Sequence, residues 1–157
     1  MGRLEVKKSV SSTKSVYALK GQIDEDTKFE AHSISDVKNL EIDLNDVTHI
    51  NSCGIREWIK WLSTASSADQ IIFTNCPKVV VDQINMVDGF LPKNAKVFSF
   101  YVPYYSEESG DDRNVLLTSG KEFTGSEVNN PPIIKDDKGN EMEMDVIPAK
   151  YFKFLKK

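Results

Sequence analysis

The sequence contains only two cysteines, Cys53 and Cys76, and two histidines, His32 and His49. Two thiols are too few for a disulfide framework or for a metal site made of cysteines alone. No apolar run approaches the roughly 20 residues that cross a bilayer, and residues 1–6 lack the apolar core of a signal peptide. These absences predict a cytoplasmic protein that does not insert into a membrane and uses no metal or other cofactor.

The motifs of common enzymes are also missing. The chain has no glycine-rich phosphate loop, no nucleophile elbow, and no cluster of His, Asp and Glu spaced as a metal centre. A Cys–His pair would need an orienting Asp or Asn and an oxyanion site besides its imidazole base. The sequence therefore predicts a protein without enzymatic activity.

Charge is unevenly distributed along the chain. The net charge of −4 is ordinary for a globular protein and argues against nucleic acid as a partner. Residues 106–157 carry eleven acidic and eight basic side chains, so most of the negative excess lies there. A length of 157 residues suits one domain with an extension, which we place at residues 1–104 and 105–157.

Alternation of apolar and polar residues predicts the strands. Residues 40–45 alternate strictly and form the clearest strand. Residues 14–24 resemble an earlier half-buried strand that stops at Gly21, and residues 4–6 would pair with it in an opening hairpin. Further buried strands are predicted at residues 70–75 and 95–102.

Helices are predicted after two of these strands. Asn51 and Ser52 offer capping side chains, and apolar residues at helical spacing follow, namely Ile55, Trp58, Ile59, Trp61 and Leu62. Pro77 suits the first turn of a second helix, which carries Val80, Val81, Ile84 and Met86. Residues 26–32 are expected to form a short helix or loop. The alternation predicts an α/β fold, with a mixed sheet of four to five strands flanked by helices.

The C-terminal segment is rich in Gly, Asn, Asp and Pro, yet residues 114–118 and 142–147 keep short strand-like patterns. We therefore expect a small β-rich extension rather than disorder. Residues 150–157 interleave aromatic and basic side chains. The expected structure is a final helix that docks Tyr151, Phe152 and Leu155 on the body and leaves its lysines in solvent.

Residues 40–55, Leu-Glu-Ile-Asp-Leu-Asn-Asp-Val-Thr-His-Ile-Asn-Ser-Cys-Gly-Ile, resemble the signature of STAS domains. In that family an apolar strand leads through an Asp-Ser-Ser-Gly-like loop into a helix. Residues 19–24 look like the family's earlier strand and turn, so the resemblance covers residues 4–104. It implies a bacterial signalling module, similar to anti-sigma-factor antagonists, that docks on an anti-sigma-factor kinase or a related signalling protein.

The family's loop carries a serine that the partner kinase phosphorylates. At the matching positions this chain has Asn51, Ser52, Cys53 and Gly54, so a thiol stands where the phosphoserine would be. Cysteine is not the same kinase target, and the side chain of Ser52 would point in another direction. We therefore predict a regulatory loop at residues 51–54 without the conventional phosphoserine switch.

The resemblance also implies that the loop and the following helix face the partner. Besides Ser52 and Cys53, the candidate interface residues are Ile55, Arg56, Glu57, Lys60 and Trp61. Five apolar positions on this helix exceed what one core face usually requires. We therefore expect one of Trp58 and Trp61 to lie in the core and the other to be an exposed anchor.

Cys53 permits a second interpretation. The positive end of a helix dipole favours a thiolate, and His49 is close in sequence. A cysteine-based redox sensor or thiol enzyme is therefore the alternative function. The simpler alternative is an inert thiol that fills a tight loop.

The extension resembles a zinc ribbon that has lost its ligands. Residues 104–110 and 135–145 look like the two Cys-x-x-Cys-Gly knuckles, with Ser106, Ser109, Lys135 and Lys138 at the ligand positions. Zinc favours thiolate or imidazole ligands, so no metal is expected here. Glycine-containing turns are common, and a chance likeness is the alternative.

Overall fold

Two β-sheets organise the chain in a computed structural model that describes residues 3–129 and 131–156. The main sheet contains β1 (Glu5–Val10), β2 (Ser15–Ile23), β3 (Asn39–Ile50), β4 (Gln70–Thr74) and β5 (Ala95–Val97). The second sheet contains β6 (Ser99–Tyr105), β7 (Asp112–Thr118) and β8 (Glu143–Met144). The helices are α1 (Ser52–Ser63), α2 (Lys78–Met86) and α3 (Pro148–Tyr151), with 3₁₀ turns at Phe29–Ala31 and Phe152–Lys156.

The main sheet has the strand order β1-β2-β3-β4-β5. β1 and β2 are antiparallel, and every later neighbouring pair is parallel. The parallel pairs need crossover connections, which α1 supplies between β3 and β4 and α2 between β4 and β5. The predicted α/β fold, with a mixed sheet and a β-rich extension, is confirmed, as is the opening hairpin.

Two strands differ from the sequence-based expectation. β2 does not stop at Gly21 but continues to Ile23, because the glycine adopts a φ of 111° at an irregularity in the register with β3. The strand expected at residues 95–102 is divided at Phe98, whose N–H donates to the carbonyl of Phe73. β5 completes the main sheet, whereas β6 lies in the second sheet.

Aromatic side chains fill the main core. Trp58 stacks on Phe90 with a centroid distance of 5.2 Å and meets Phe73 edge to face at 5.6 Å. Phe29, from the 3₁₀ turn between β2 and β3, stacks on Trp61 at 4.5 Å. Edge-to-face and offset-stacked pairs add stability beyond the area they bury. The connection between β2 and β3 therefore packs directly on α1.

The second helix forms where predicted, and one of its four predicted apolar residues is in solvent. Val80, Val81 and Ile84 are fully buried, but Met86 at the helix end is 70% exposed. Met86 is the last residue of α2 and, unlike the other three, faces solvent. Pro77 is the N-cap residue rather than a residue of the first turn.

The second sheet has its own aromatic cluster. Phe100 contacts the ring of Phe154 edge to face at 5.0 Å, and the hydroxyl of Tyr151 donates to the carbonyl of Tyr101. The expected C-terminal helix docks here as α3 and a 3₁₀ turn. Tyr151 is buried as predicted, but Phe152 and Leu155 are only half-buried, and Phe154 is the second buried ring.

The two sheets meet where β6 lies beside the chain that leaves β4. Cys76 donates its N–H to the carbonyl of Ser99 and accepts the N–H of Tyr101, so β6 runs beside the chain end that follows β4. The boundary predicted between residues 104 and 105 falls near the end of β6.

Among the described residues, no helix is both long and apolar enough to cross a bilayer.

Candidate functional site

The turn between β3 and α1 is built around Asn51. Its backbone is extended, and its side-chain oxygen accepts the N–H of Gly54 at 2.9 Å, which caps the first turn of α1. Its side-chain nitrogen donates to the Glu25 carboxylate at 2.7 Å. This hydrogen bond favours the ionised form and lowers the pKa of Glu25. Asn51 therefore joins the start of α1 to the chain that follows β2.

Gly54 is required by close packing rather than by its backbone angles. A Cβ atom added at this position would lie 2.0 Å from the carbonyl oxygen of Ile23 and 2.4 Å from its carbonyl carbon. No side chain fits at that distance, and both neighbouring atoms belong to the backbone. The first turn of α1 is therefore pressed directly on the end of β2.

The outer face of α1 is exposed. Ser52, Cys53, Arg56 and Lys60 are exposed, whereas Ile55 and Glu57 are half-buried beside them. The structure therefore places two of the predicted loop residues and most of the predicted interface residues on one side of α1, which we call the α1 face. It comprises Ser52, Cys53, Ile55, Arg56, Glu57 and Lys60.

Trp61 does not belong to this face. Its side chain is only 4% exposed and Trp58 is fully buried, so the expectation of one exposed tryptophan anchor is wrong. The indole N–H of Trp61 donates to the carbonyl of His32 at 2.7 Å, and that of Trp58 donates to the carbonyl of Phe90. The reason is that the segment between β2 and β3 covers α1 on its Trp61 side. Sequence periodicity alone did not reveal this cover.

The two cysteines occupy opposite environments. Cys53 is exposed at the first turn of α1, whereas Cys76 is fully buried. Burial, with a smaller contribution from the nearby Asp43 carboxylate, raises the pKa of the Cys76 thiol far above its usual range. The imidazole Nδ1 of His49 lies 3.0 Å from the hydroxyl oxygen of Thr48. Within the described residues, no hydrogen bond joins His49 to Cys53.

The two turns of the C-terminal extension meet through a carboxylate that the sequence analysis did not single out. Asp136 accepts the Ser106 hydroxyl at 2.7 Å, and it also accepts the backbone N–H groups of Lys138 and Asn140 at 2.9 and 2.8 Å. Both Ser106 and Asp136 are buried. The Ser106 hydroxyl, followed by the backbone N–H of Asn140, holds the pKa of Asp136 well below its usual range.

The former ligand-like positions therefore have unequal roles. The Ser106 oxygen also accepts the N–H of Ser109 at 3.3 Å, so both serines belong to the cluster. Lys138 contributes its backbone N–H, and Lys135 pairs with Glu141 through a backbone bridge. In residues 3–129 and 131–156, no group of three His, Cys, Asp or Glu side chains is placed to hold a metal ion.

No family model matches this chain, and no curated protein is significantly similar to it. The likeness to STAS domains and the likeness to a zinc ribbon both remain predictions that depend on the residues quoted above.

Proposed function

We propose that this chain is a non-enzymatic signalling module, similar to an anti-sigma-factor antagonist, that docks on a partner protein through the α1 face. The partner class, an anti-sigma-factor kinase or a related signalling protein, comes from the resemblance to STAS domains. Because Cys53 replaces the family's phosphoserine, docking would be controlled by means other than that phosphorylation.

The observation that carries this proposal is a rigid support beneath an exposed helix face. Trp58 and Trp61 fasten one side of α1 to the core, while Gly54 holds its first turn against Ile23. The opposite side presents Cys53 and Lys60 to solvent. A surface that is ordered before binding loses less conformational entropy when a partner docks.

The charges on the α1 face are available to a partner. The salt bridges among the described residues join Lys14 to Glu41, Lys78 to Asp82 and Arg113 to Asp137. Arg56, Glu57 and Lys60 take part in none of these. Unpaired charges beside the half-buried Ile55 suit a protein interface, where charge selects the partner and apolar surface contributes affinity.

Exposure of Cys53 favours the alternative function, a redox sensor or thiol enzyme. An oxidant or electrophile can reach this thiol, whereas Cys76 is enclosed. A redox sensor would change its partner binding when Cys53 is oxidised. The two functions therefore use the same surface, and they are distinguished by whether docking of a Cys53→Ser variant still responds to an oxidant.

The docking proposal is tested by affinity capture from the native cell lysate, followed by mass spectrometry. Three full-length baits are compared: the wild type, Lys60→Glu and Lys96→Glu. Both variants make the same charge reversal at an exposed lysine, but Lys96 lies on β5, outside the α1 face. We expect the wild type and Lys96→Glu to retain a protein with a kinase-type ATP-binding domain, and Lys60→Glu to lose it.

Recovery of the same proteins with all three baits would contradict docking through the α1 face. A fourth bait, Cys53→Ser, distinguishes the alternative. If this variant keeps the partner under reducing conditions but no longer responds to peroxide, the thiol is a sensor within the interface. If it behaves as the wild type in both conditions, the redox function is excluded.

A further inference from the structure

The opening hairpin has a charge opposite to that of the whole chain. Residues 6–23 contain Lys7, Lys8, Lys14 and Lys20 and no acidic residue, although the net charge of the protein is −4. These lysines are exposed. The edge of the main sheet formed by β1 and β2 is therefore a local basic region.

Part of this region borders a cleft of about 540 Å³ between the hairpin turn and the chain that enters β3. We call it the hairpin cleft. Its lining includes Lys8, Lys14 and Lys38, five hydroxyl side chains from Ser33 and the turn at residues 11–15, and a single carboxylate, Asp36. The lining thus has a net charge of about +2 and many hydrogen-bond donors.

The walls of the cleft are held in place by three contacts. The Asn39 side chain donates to the carbonyl of Thr13 at 3.1 Å, and the Lys14 ammonium lies 2.6 Å from the Glu41 carboxylate. The Tyr17 hydroxyl donates to the carbonyl of Ser33 at 2.9 Å. The first two contacts join the turn to β3, and the third joins β2 to the opposite wall. The cleft is therefore formed without a ligand.

Lys8 and Lys14 differ in how free their charges are. The Lys8 ammonium lies 5.6 Å from the centre of the Tyr17 ring, which orients it and leaves its charge unneutralised. Lys14 already has Glu41 as a partner. The free positive charge at the cleft therefore comes mainly from Lys8 and Lys38.

We propose that the hairpin cleft binds a small phosphate monoester. A phosphate group carries about −1.5 to −2 charge at pH 7, opposite in sign to the free charges of Lys8 and Lys38, and its oxygens accept several donors. The volume exceeds that of a bare phosphate and falls within the usual range for small-molecule sites. None of the described aromatic rings lines the cleft, so the ester is expected to carry a polyhydroxylated group rather than a nucleobase.

This site is independent of the α1 face. The cleft lies where β2 and β3 begin, at Ser15 and Asn39, whereas α1 follows the end of β3 at Ile50. A strand of this length separates the two sites by on the order of 35 Å. Variants of one site therefore leave the other intact, and failure of one proposal does not imply failure of the other.

The test is an NMR titration of the full chain with glucose 6-phosphate, with glucose as the uncharged comparison. We expect saturable shifts of the backbone amides of residues 11–15 and 33–39 with the phosphate ester and none with glucose. The double variant Lys8→Gln/Lys38→Gln should weaken binding by about tenfold or more, because it removes two charge-assisted contacts to the phosphate.

The matched control is Lys7→Gln/Lys20→Gln, which also removes two positive charges, both from the hairpin and outside the cleft. It should retain affinity within about twofold, because exposed charges at a distance are screened by salt. Equal weakening by both double variants, or the absence of saturable shifts in residues 11–15 and 33–39, would overturn the proposal. Tighter binding of hexaglutamate or a single-stranded oligonucleotide than of the ester would also overturn it.

Discussion

The two sheets of this protein are held together by different chemistry. The main sheet depends on fully buried aromatic rings, above all Trp58 and Phe73, and on backbone contact at Gly54. The extension has aromatic rings as well, but its two turns are joined by a buried carboxylate, Asp136, and its hydrogen-bond donors. Apolar packing is insensitive to pH, whereas a carboxylate cluster is not. The two regions should therefore respond differently to substitution and to acid.

The largest expected effect is that of Gly54→Ala. The added Cβ would overlap the backbone of Ile23, so α1 would have to move away from the sheet. We expect a loss of about 3 kcal/mol or more in the free energy of unfolding, the upper range for overpacked sites. Urea unfolding followed by circular dichroism measures it. Lys60→Ala, an exposed change on the same helix, should stay within about 0.5 kcal/mol of the wild type, and equal effects would contradict the close approach.

Asp136→Asn should destabilise the extension more than the main sheet. The amide group replaces an oxygen that accepts from Ser106 and from the Asn140 side chain, so donors would face each other. We expect faster amide hydrogen exchange at residues 106–110 and 136–140, with little change in β3. Uniform acceleration throughout both sheets would show that the two regions unfold as one unit.

The same carboxylate predicts a pH dependence. In the unfolded chain Asp136 titrates near its ordinary value of about 4, whereas its hydrogen bonds lower its pKa in the folded chain. The stability that the ionised Asp136 contributes is thus complete above the pKa of the unfolded chain. It is lost as the pH falls from there toward the lowered pKa of the folded chain. The melting temperature of the wild type should decline more steeply than that of Asp136→Asn between about pH 5 and pH 3. Parallel curves would exclude this role.

A smaller effect is expected for Asn51→Ala, which removes the cap of α1. The loss should be about 1 kcal/mol, as for other N-cap residues. The same change removes the hydrogen bond to Glu25, so the lowered pKa of that carboxyl should rise toward its ordinary value. NMR titration of the Glu25 side chain measures it. An unchanged pKa would mean that the Asn51 side chain does not reach Glu25 in solution.

The smallest expected effect on stability is that of Cys53→Ser, which should nevertheless alter reactivity completely. In the folded wild type one thiol per chain should react with a chromogenic disulfide, because Cys53 is exposed and Cys76 is buried. The second thiol should react only after denaturation. Folded Cys53→Ser should show no fast reaction. Rapid labelling of Cys76 would indicate that the contact between the sheets opens readily.

Much of the architecture followed from local pattern. The strict alternation at residues 40–45, the capping side chain of Asn51 and the apolar spacing along α1 specify a strand, a turn and a helix within a short segment. These signals depend on neighbours in sequence, so they can be read without the fold. The mixed sheet and the β-rich extension were predicted for the same reason.

Contacts between distant residues were decided by the tertiary structure alone. Burial of Trp61 depends on Phe29 and His32, and the requirement for glycine at position 54 depends on the carbonyl of Ile23. The role of Asp136 depends on Ser106, 30 residues earlier in the chain. None of these partners lies within one helical turn of, or in the same strand as, the residue it affects. The sequence by itself determined the elements, whereas their packing decided which side chains remain available for binding.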